Sequence, residues 1–257
     1  MKQMTYKTTP EGPLTVDVFC PEGAPERPRP VILLFHGGGW RHGSPSKFHP
    51  FAAPLAERGA VVMSFAYRLV REEDEPPTKA MQDAQDAVRW AIELADELHI
   101  DRGRVVLGGE SAGGHLALTT LFAVGDHAQQ THAARPIAVV LIYPVLDLVD
   151  GWEMGRKRLE RAGMDPIDFS PAHHVRPGLP ATIVFHGDAD QTVPVASARA
   201  YRQRMLEAGN ACVVVEYEGR GHGFLSADTE GVGQDFRDIL SRMMTFLESL
   251  NVFDPAR

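Results

Sequence analysis

The sequence predicts an α/β fold, an open and mostly parallel sheet wrapped by helices on both faces. Short, continuously apolar runs alternate with stretches whose apolar residues recur at helical spacing. The glycine- and histidine-rich motifs fall just after those runs, beyond the carboxyl ends of the expected strands, where such sheets collect reactive groups.

Taken in order, residues 14–20 alternate apolar and polar, the period of a half-exposed strand near a sheet edge. Residues 21–30 are rich in Pro, Glu and Arg and read as a loop. The run Val31–Phe35 is apolar throughout, a strand covered on both faces, and leads into His36-Gly37-Gly38-Gly39-Trp40. Residues 48–58 read as helix and Ala60–Phe65 as another buried strand. The longest helix is expected over about 78–98, with Met81, Ala84, Val88, Ala91, Ile92, Ala95 and Leu98 forming one apolar stripe and Thr78 as its N-cap.

Residues 104–108 form a strand before a helix over 115–122, with Gly108-Gly109-Glu110-Ser111-Ala112-Gly113-Gly114 between them. Strands follow at 137–143, 181–185 and 212–217, and helices at about 195–208 and 231–250. The stretch 148–180 mixes charge, Gly and Pro around a short helix at 152–162.

The chain has 257 residues, 44% hydrophobic and 23% charged, with no long linker or repeat. One domain spanning 1–257 is expected, with 148–180 as a small insertion or lid-like segment. The net charge is −8 and the basic residues are scattered along the chain, which argues against nucleic acid and anionic membranes as partners. No apolar run approaches a bilayer-crossing length, and the N-terminus lacks a signal peptide's apolar core, so a cytoplasmic location is expected. Cys20 and Cys212 both sit in strand-like runs and read as small buried thiols.

Strand, glycine-flanked turn and helix with a Ser at the apex is the pattern of a nucleophile elbow. The Ser111 backbone must turn sharply, and a Cβ at Gly109 or Gly113 would crowd the neighbouring strand and helix. Acyl transfer by a serine also needs a base, an acid that orients the base, and N–H donors for the developing oxyanion. Among eleven histidines, His222 lies in a glycine-rich turn after a strand and follows Ser111 in the chain, as the order Ser…Asp…His requires. His36 and His186 end strands and read as structural, their imidazoles bonding loop carbonyls. His115 is expected to pack under the elbow helix. His173 and His174 are adjacent and lack metal-ligand spacing.

For the acid, Asp190 is favoured over Asp188, whose expected role is to form the turn, and over Asp147. The triple glycine Gly37–Gly39 exposes backbone N–H groups, and the N–H of Ala112 at the helix start is a further donor. Trp40 and Trp152 read either as packing residues or as platforms for a sugar or aryl group. No cofactor and no metal are called for.

These residues carry a resemblance. His36-Gly37-Gly38-Gly39-Trp40, Tyr67-Arg68-Leu69, Gly109-Glu110-Ser111-Ala112-Gly113-Gly114-His115, the segment His186–Pro194 and Gly221-His222-Gly223-Phe224 are similar to the α/β-hydrolase esterases of the hormone-sensitive-lipase type. Within that group the chain most resembles compact bacterial acetyl-xylan-esterase and feruloyl-esterase-like carboxylesterases, in register from about residue 14 to 250. The resemblance implies a three-layer α/β-hydrolase fold of about eight strands, with Ser111 as nucleophile, Asp190 as acid and His222 as base. It places the oxyanion hole at Gly38, Gly39 and Ala112, with Gly37 supporting the loop.

The larger members carry an N-terminal helical cap, for which this chain has too few residues, so an open site is expected. Its walls are expected to be the loops around Trp40, Arg41, His42, 70–77 and 148–175. The activity implied is hydrolysis of short-chain esters, including acetylated carbohydrates, with arylformamidase-like or other amide hydrolysis as the alternative. The expected partner is a small-molecule ester, and the expected state is a monomer or homodimer.

Overall fold

The structure is a computed structural model that describes residues 1–257 except 24–25, 74, 123–134, 226–231 and 254–257. Its centre is an eight-stranded sheet, ordered β1-β2-β4-β3-β5-β6-β7-β8. The strands are β1 (Lys2–Thr9), β2 (Gly12–Phe19), β3 (Arg29–Phe35), β4 (Val61–Phe65), β5 (Ile100–Glu110), β6 (Ala138–Ile142), β7 (Ala181–Gly187) and β8 (Cys212–Tyr217). β1 and β2 run antiparallel to each other, β2 runs antiparallel to β4, and all other pairs are parallel. Among the described residues the α-helices are α1 (His49–Glu57), α2 (Thr78–Glu93), α3 (Ala112–Thr119), α4 (Glu153–Arg161), α5 (Val195–Glu207) and α6 (Val232–Ser249).

The period-2 alternation of the strands splits the core into two layers. Ile32, Leu34, Val62, Val106, Val140 and Phe185 face α1 and α6, meeting Phe51, Leu55, Ile239 and Met243. Leu33, Phe35, Met63, Leu107, Leu141 and Val184 face the opposite way, onto Met81, Ala84, Leu116, Tyr201 and Met205 of α2, α3 and α5. Both faces are therefore covered, as the continuously apolar runs require.

The alternating strand β2 lies near the sheet edge as expected, with β1 outside it and Leu14, Val16 and Val18 buried. Three expectations are corrected. The N-cap of α2 is Pro77 rather than Thr78, with no side-chain cap bond. That helix stops at Glu93, and the chain turns through His99 at φ 51° to enter β5. Both cysteines are free, but only Cys212 is buried, because Cys20 lies one residue past the end of β2 and is exposed.

Residues 148–180 supply one short helix, α4, and two single 3-10 turns. Position 231, the expected start of the last helix, lies outside the described residues. Among the described residues, no helix is long and apolar enough to cross a membrane.

Candidate active site

Ser111 sits between β5 and α3 with φ 49° and ψ −120°. A non-glycine residue in such a conformation costs about 1–3 kcal/mol and persists only where its surroundings over-determine it. They do so here. The Ser111 N–H donates to Ile142 O at 2.9 Å, and its carbonyl accepts from Val145 N at 3.1 Å and His115 N at 3.2 Å. The glycines have the anticipated steric job. A Cβ on Gly113 would lie 2.0 Å from Phe35 O, and one on Gly109 would lie 2.4 Å from the Gly113 backbone.

From this apex runs a chain of hydrogen bonds. Ser111 Oγ lies 2.8 Å from His222 Nε2, and His222 Nδ1 lies 2.7 Å from Asp190 Oδ2. A carboxylate only accepts, so Nδ1 carries the proton and Nε2 is free to accept from the serine hydroxyl. Asp190 Oδ1 accepts the backbone N–H groups of Thr192 and Val193, each at 2.9 Å. Its side chain is fully buried, and His186 Nε2 lies 3.2 Å from Oδ2. Burial alone would raise the Asp190 pKa, but the hydrogen bonds from His186, His222 and Val193 outweigh it and hold the carboxyl well below the usual range.

Asp188 and Asp147 serve elsewhere. Asp188 accepts Gly219 N–H at 2.7 Å, pinning the turn that leads to His222 rather than closing its own. Asp147 accepts the N–H groups of Val149 and Asp150. His186 Nε2 bonds Val193 O and His115 Nε2 bonds Phe169 O, both at 2.8 Å, while His36 Nδ1 meets the carbonyl of Gly37.

A cavity of about 540 Å³ opens over Ser111 and His222, lined on one side by Gly37, Gly38 and Gly39. The N–H groups of Gly38, Gly39 and Ala112 make no hydrogen bond to a described residue. Gly38 has φ 118°, and Arg41 N–H closes back onto its carbonyl at 3.0 Å, so the triple glycine is a tight turn.

The two tryptophans part company. Trp40 is fully buried, packs on Trp152 at 4.9 Å and on His115 at 5.1 Å, and does not reach the cavity; of its two readings packing fits, and that of a substrate-binding platform is corrected. Trp152 lines the cavity. His42 lines it too, but Arg41 and the 70–77 loop do not. Arg158 of α4 donates to the carbonyls of Glu72 and Glu75, both at 2.9 Å, and fastens that loop against α4 instead.

Sequence reasoning missed an aromatic wall. Phe48, Pro50 and Phe51 at the start of α1 and Phe236 of α6 line the cavity, and the Phe51 and Phe236 rings lie 4.5 Å apart. It also missed the clamp around Glu110. Oε1 of Glu110 accepts Gly37 N–H at 3.1 Å and Lys47 Nζ at 3.0 Å, and Oε2 accepts the Tyr143 hydroxyl at 2.8 Å. Tyr143 in turn packs edge-on against the His222 ring at 5.0 Å. Burial and then the Glu110 charge hold the Tyr143 hydroxyl well above its usual pKa, so it stays a donor. The position of Glu110 inside the elbow motif and of Tyr143 at a strand end were the available signals.

A neutral imidazole on a buried carboxylate, bonded to a hydroxyl at a helix start, can deprotonate that hydroxyl as it attacks. A family model for the alpha/beta hydrolase fold matches residues 32–226. The chain belongs to the α/β-hydrolase family. Among solved α/β-hydrolase structures, a propionate-bound esterase 2 from Thermogutta terrifontis is 34% identical with a TM-score of 0.87. The match covers 100% of this chain and 96% of that one. The same esterase phosphonylated by sarin is 33% identical with a TM-score of 0.89, covering 99% and 96%. Among curated α/β hydrolases, Esterase LipC of Mycobacterium tuberculosis is 30% identical over 81% of this chain, and Lipase 2 of a Moraxella species 27% over 86%. The chain spans 56% and 60% of the lengths of those two relatives.

Proposed function

We propose that the chain is a serine carboxylesterase for short-chain esters, working as one α/β-hydrolase domain without a large cap. The observation that carries this reading is the continuous hydrogen-bonded line from Ser111 Oγ through His222 to Asp190. In the proposed reaction Ser111 Oγ attacks the ester carbonyl while His222 Nε2 takes its proton. The N–H groups of Gly38, Gly39 and Ala112 receive the oxyanion. His222 passes the proton to the leaving alcohol as the C–O bond breaks, giving an acyl-enzyme. A water then repeats the sequence and releases the acid. Asp190 orients the imidazole and stabilises it while it is charged.

Several findings support this reading. The relatives named above are called esterase or lipase, and the Thermogutta esterase has been captured both with propionate bound and phosphonylated by sarin. For the acyl side, the cavity size and the aromatic wall of Phe48, Phe51 and Phe236 suit a short apolar chain. The rim at Trp152 and Met154 leaves room for a bulkier alcohol, so an acetylated carbohydrate is the preferred natural class.

The test is p-nitrophenyl acetate turnover by wild type and Ser111→Ala. Loss of at least about 10⁴-fold is expected on removal of the nucleophile. Equal rates would refute the assignment. A series of acetate, butyrate, octanoate and acetylated xylo-oligosaccharide substrates then grades the substrate class, with acetate and butyrate expected to exceed octanoate.

A further inference from the structure

A second cavity, of about 490 Å³, lies on the far side of the glycine turn, with Arg41, Arg68 and Arg71 in its walls. It shares the active site's edge of the sheet. β2 runs antiparallel to β4, so the β1–β2 turn at Gly12 meets the carboxyl end of β4, and Thr9, Glu11 and Gly12 complete the walls.

The charges there do not cancel. Arg68 is neutralised by Asp83, through Nε and Nη2 both at 2.8 Å, and Glu11 is paired with Lys79 at 3.1 Å. The guanidinium groups of Arg41 and Arg71 have neither an ion pair nor a hydrogen bond to a described residue. Arg158, close by, is itself buried and, among the described residues, bonded to two carbonyls. Burial, and then the positive charge of Arg41, hold the Arg158 guanidinium below the usual arginine range. Two of the described carboxylates of the 70–77 loop are engaged, Glu75 with Lys79 and the Arg71 N–H, and Glu73 with Arg161. A chain of net charge −8 thus presents in one cleft two guanidinium groups with no partner among the described residues.

We propose that this cleft is a binding subsite for an oxyanion group, a carboxylate or a phosphate, bridged by Arg41 and Arg71. Guanidinium forks match such groups in geometry and are weakly hydrated, so a cleft lined by two of them suits an oxyanion. The subsite is mechanically tied to the glycine turn. Arg41 N–H bonds Gly38 O, and Val70 N–H, one residue before Arg71, bonds Trp40 O at 2.8 Å. The anion has two possible sources, a free ion or an acidic group on the alcohol part of the ester. The second source alone rests on the proposed esterase activity.

The experiment uses the full chain, with inorganic phosphate as probe and chloride at matched ionic strength as control. Wild type should show a saturable rise in Tm of about 3 °C at ten times the Kd. Arg41→Gln combined with Arg71→Gln should abolish it. Both side chains are exposed, so their loss leaves no buried group unpaired and the fold should persist by circular dichroism. Arg202→Gln, on α5 at the opposite end of the sheet, should retain the shift. An equal shift with chloride, or an undiminished one in the double variant, overturns the subsite.

Phenyl acetate and 4-acetoxybenzoate then separate the sources. If the anion belongs to the substrate, the double variant lowers the ratio of kcat/KM for the acidic ester over the neutral one by about tenfold, roughly the loss of one charge-assisted contact. An unchanged ratio assigns the cleft to a free anion. Hydrolysis of neither ester, with the phosphate shift intact, refutes the esterase reading and leaves the subsite standing.

Discussion

Two carboxylates flank Ser111, and they are held in different ways. Asp190 is fully buried and receives backbone and imidazole N–H donors: Thr192 and Val193, His222, and His186. Glu110 sits at the cavity margin and receives Gly37 N–H, the Tyr143 hydroxyl and the half-exposed ammonium of Lys47. Dipoles fix the first without cancelling its charge, which leaves that charge available to an imidazole that gains a proton. A cation already compensates the second, so Glu110 acts as a clamp, joining the glycine turn to the tyrosine that backs His222. Similar groups thus have different duties, set by what donates to them.

The sharpest way to break this contrast is Asp190→Asn. The amide can still accept from the backbone but does not stabilise a charged imidazole, and kcat should fall by about 10⁴ with the fold intact by circular dichroism. A loss under tenfold would move the acid to another residue.

Next come the buried imidazoles behind the two arms. Burial lowers both His36 and His115 from 6.5 to about 4. Between those values the unfolded chain takes up protons that the folded chain refuses. Stability is therefore complete above about pH 6.5 and falls as pH drops toward 4, by roughly 3 kcal/mol per histidine at full effect. Urea unfolding at pH 7 and pH 4.5 should show this loss, and His115→Gln should reduce the slope. A flat profile would mean that these rings are charged in the fold.

Glu110→Gln keeps acceptor capacity but removes the charge. The expected loss in kcat is about tenfold, with little change in KM, because the glycine turn and Tyr143 shift slightly rather than collapse. Lys47→Met should cost less still, within about threefold in kcat and about 1 kcal/mol in stability, since exposed ion pairs contribute little. If Lys47→Met matched Asp190→Asn, the distinction between a clamp and a charge partner would fail.

Much of this arrangement was legible in residues 31–35, 61–65, 138–142 and 181–187, where continuous apolar runs mark strands covered on both faces. The line Ser111–His222–Asp190 was legible because each residue follows a strand end among glycines. β1 was not legible, because its polar run Lys2–Thr9 buries only Tyr6 and Thr9. The aromatic wall was not legible either. Phe51 and Phe236 sit on helices of evident amphipathicity, but which part of each stripe overhangs Ser111 depends on how α1 and α6 meet on their shared face of the sheet. The 70–77 loop was expected as a wall of the open, uncapped site, yet Arg158, distant in sequence, draws its carbonyls toward α4. Local pattern predicts what an element is; a remote partner decides which surface it offers.

The two cysteines differ in a way that is useful at the bench. Burial seals Cys212 in β8 and pushes its thiol up to about 12, whereas Cys20 stands exposed beside β2. A maleimide dye or spin probe therefore addresses the folded chain at one position without mutagenesis, away from the cavity lining. When the sheet opens, a second thiol becomes reactive, so the stoichiometry of labelling is itself a gauge of how much of the protein is folded.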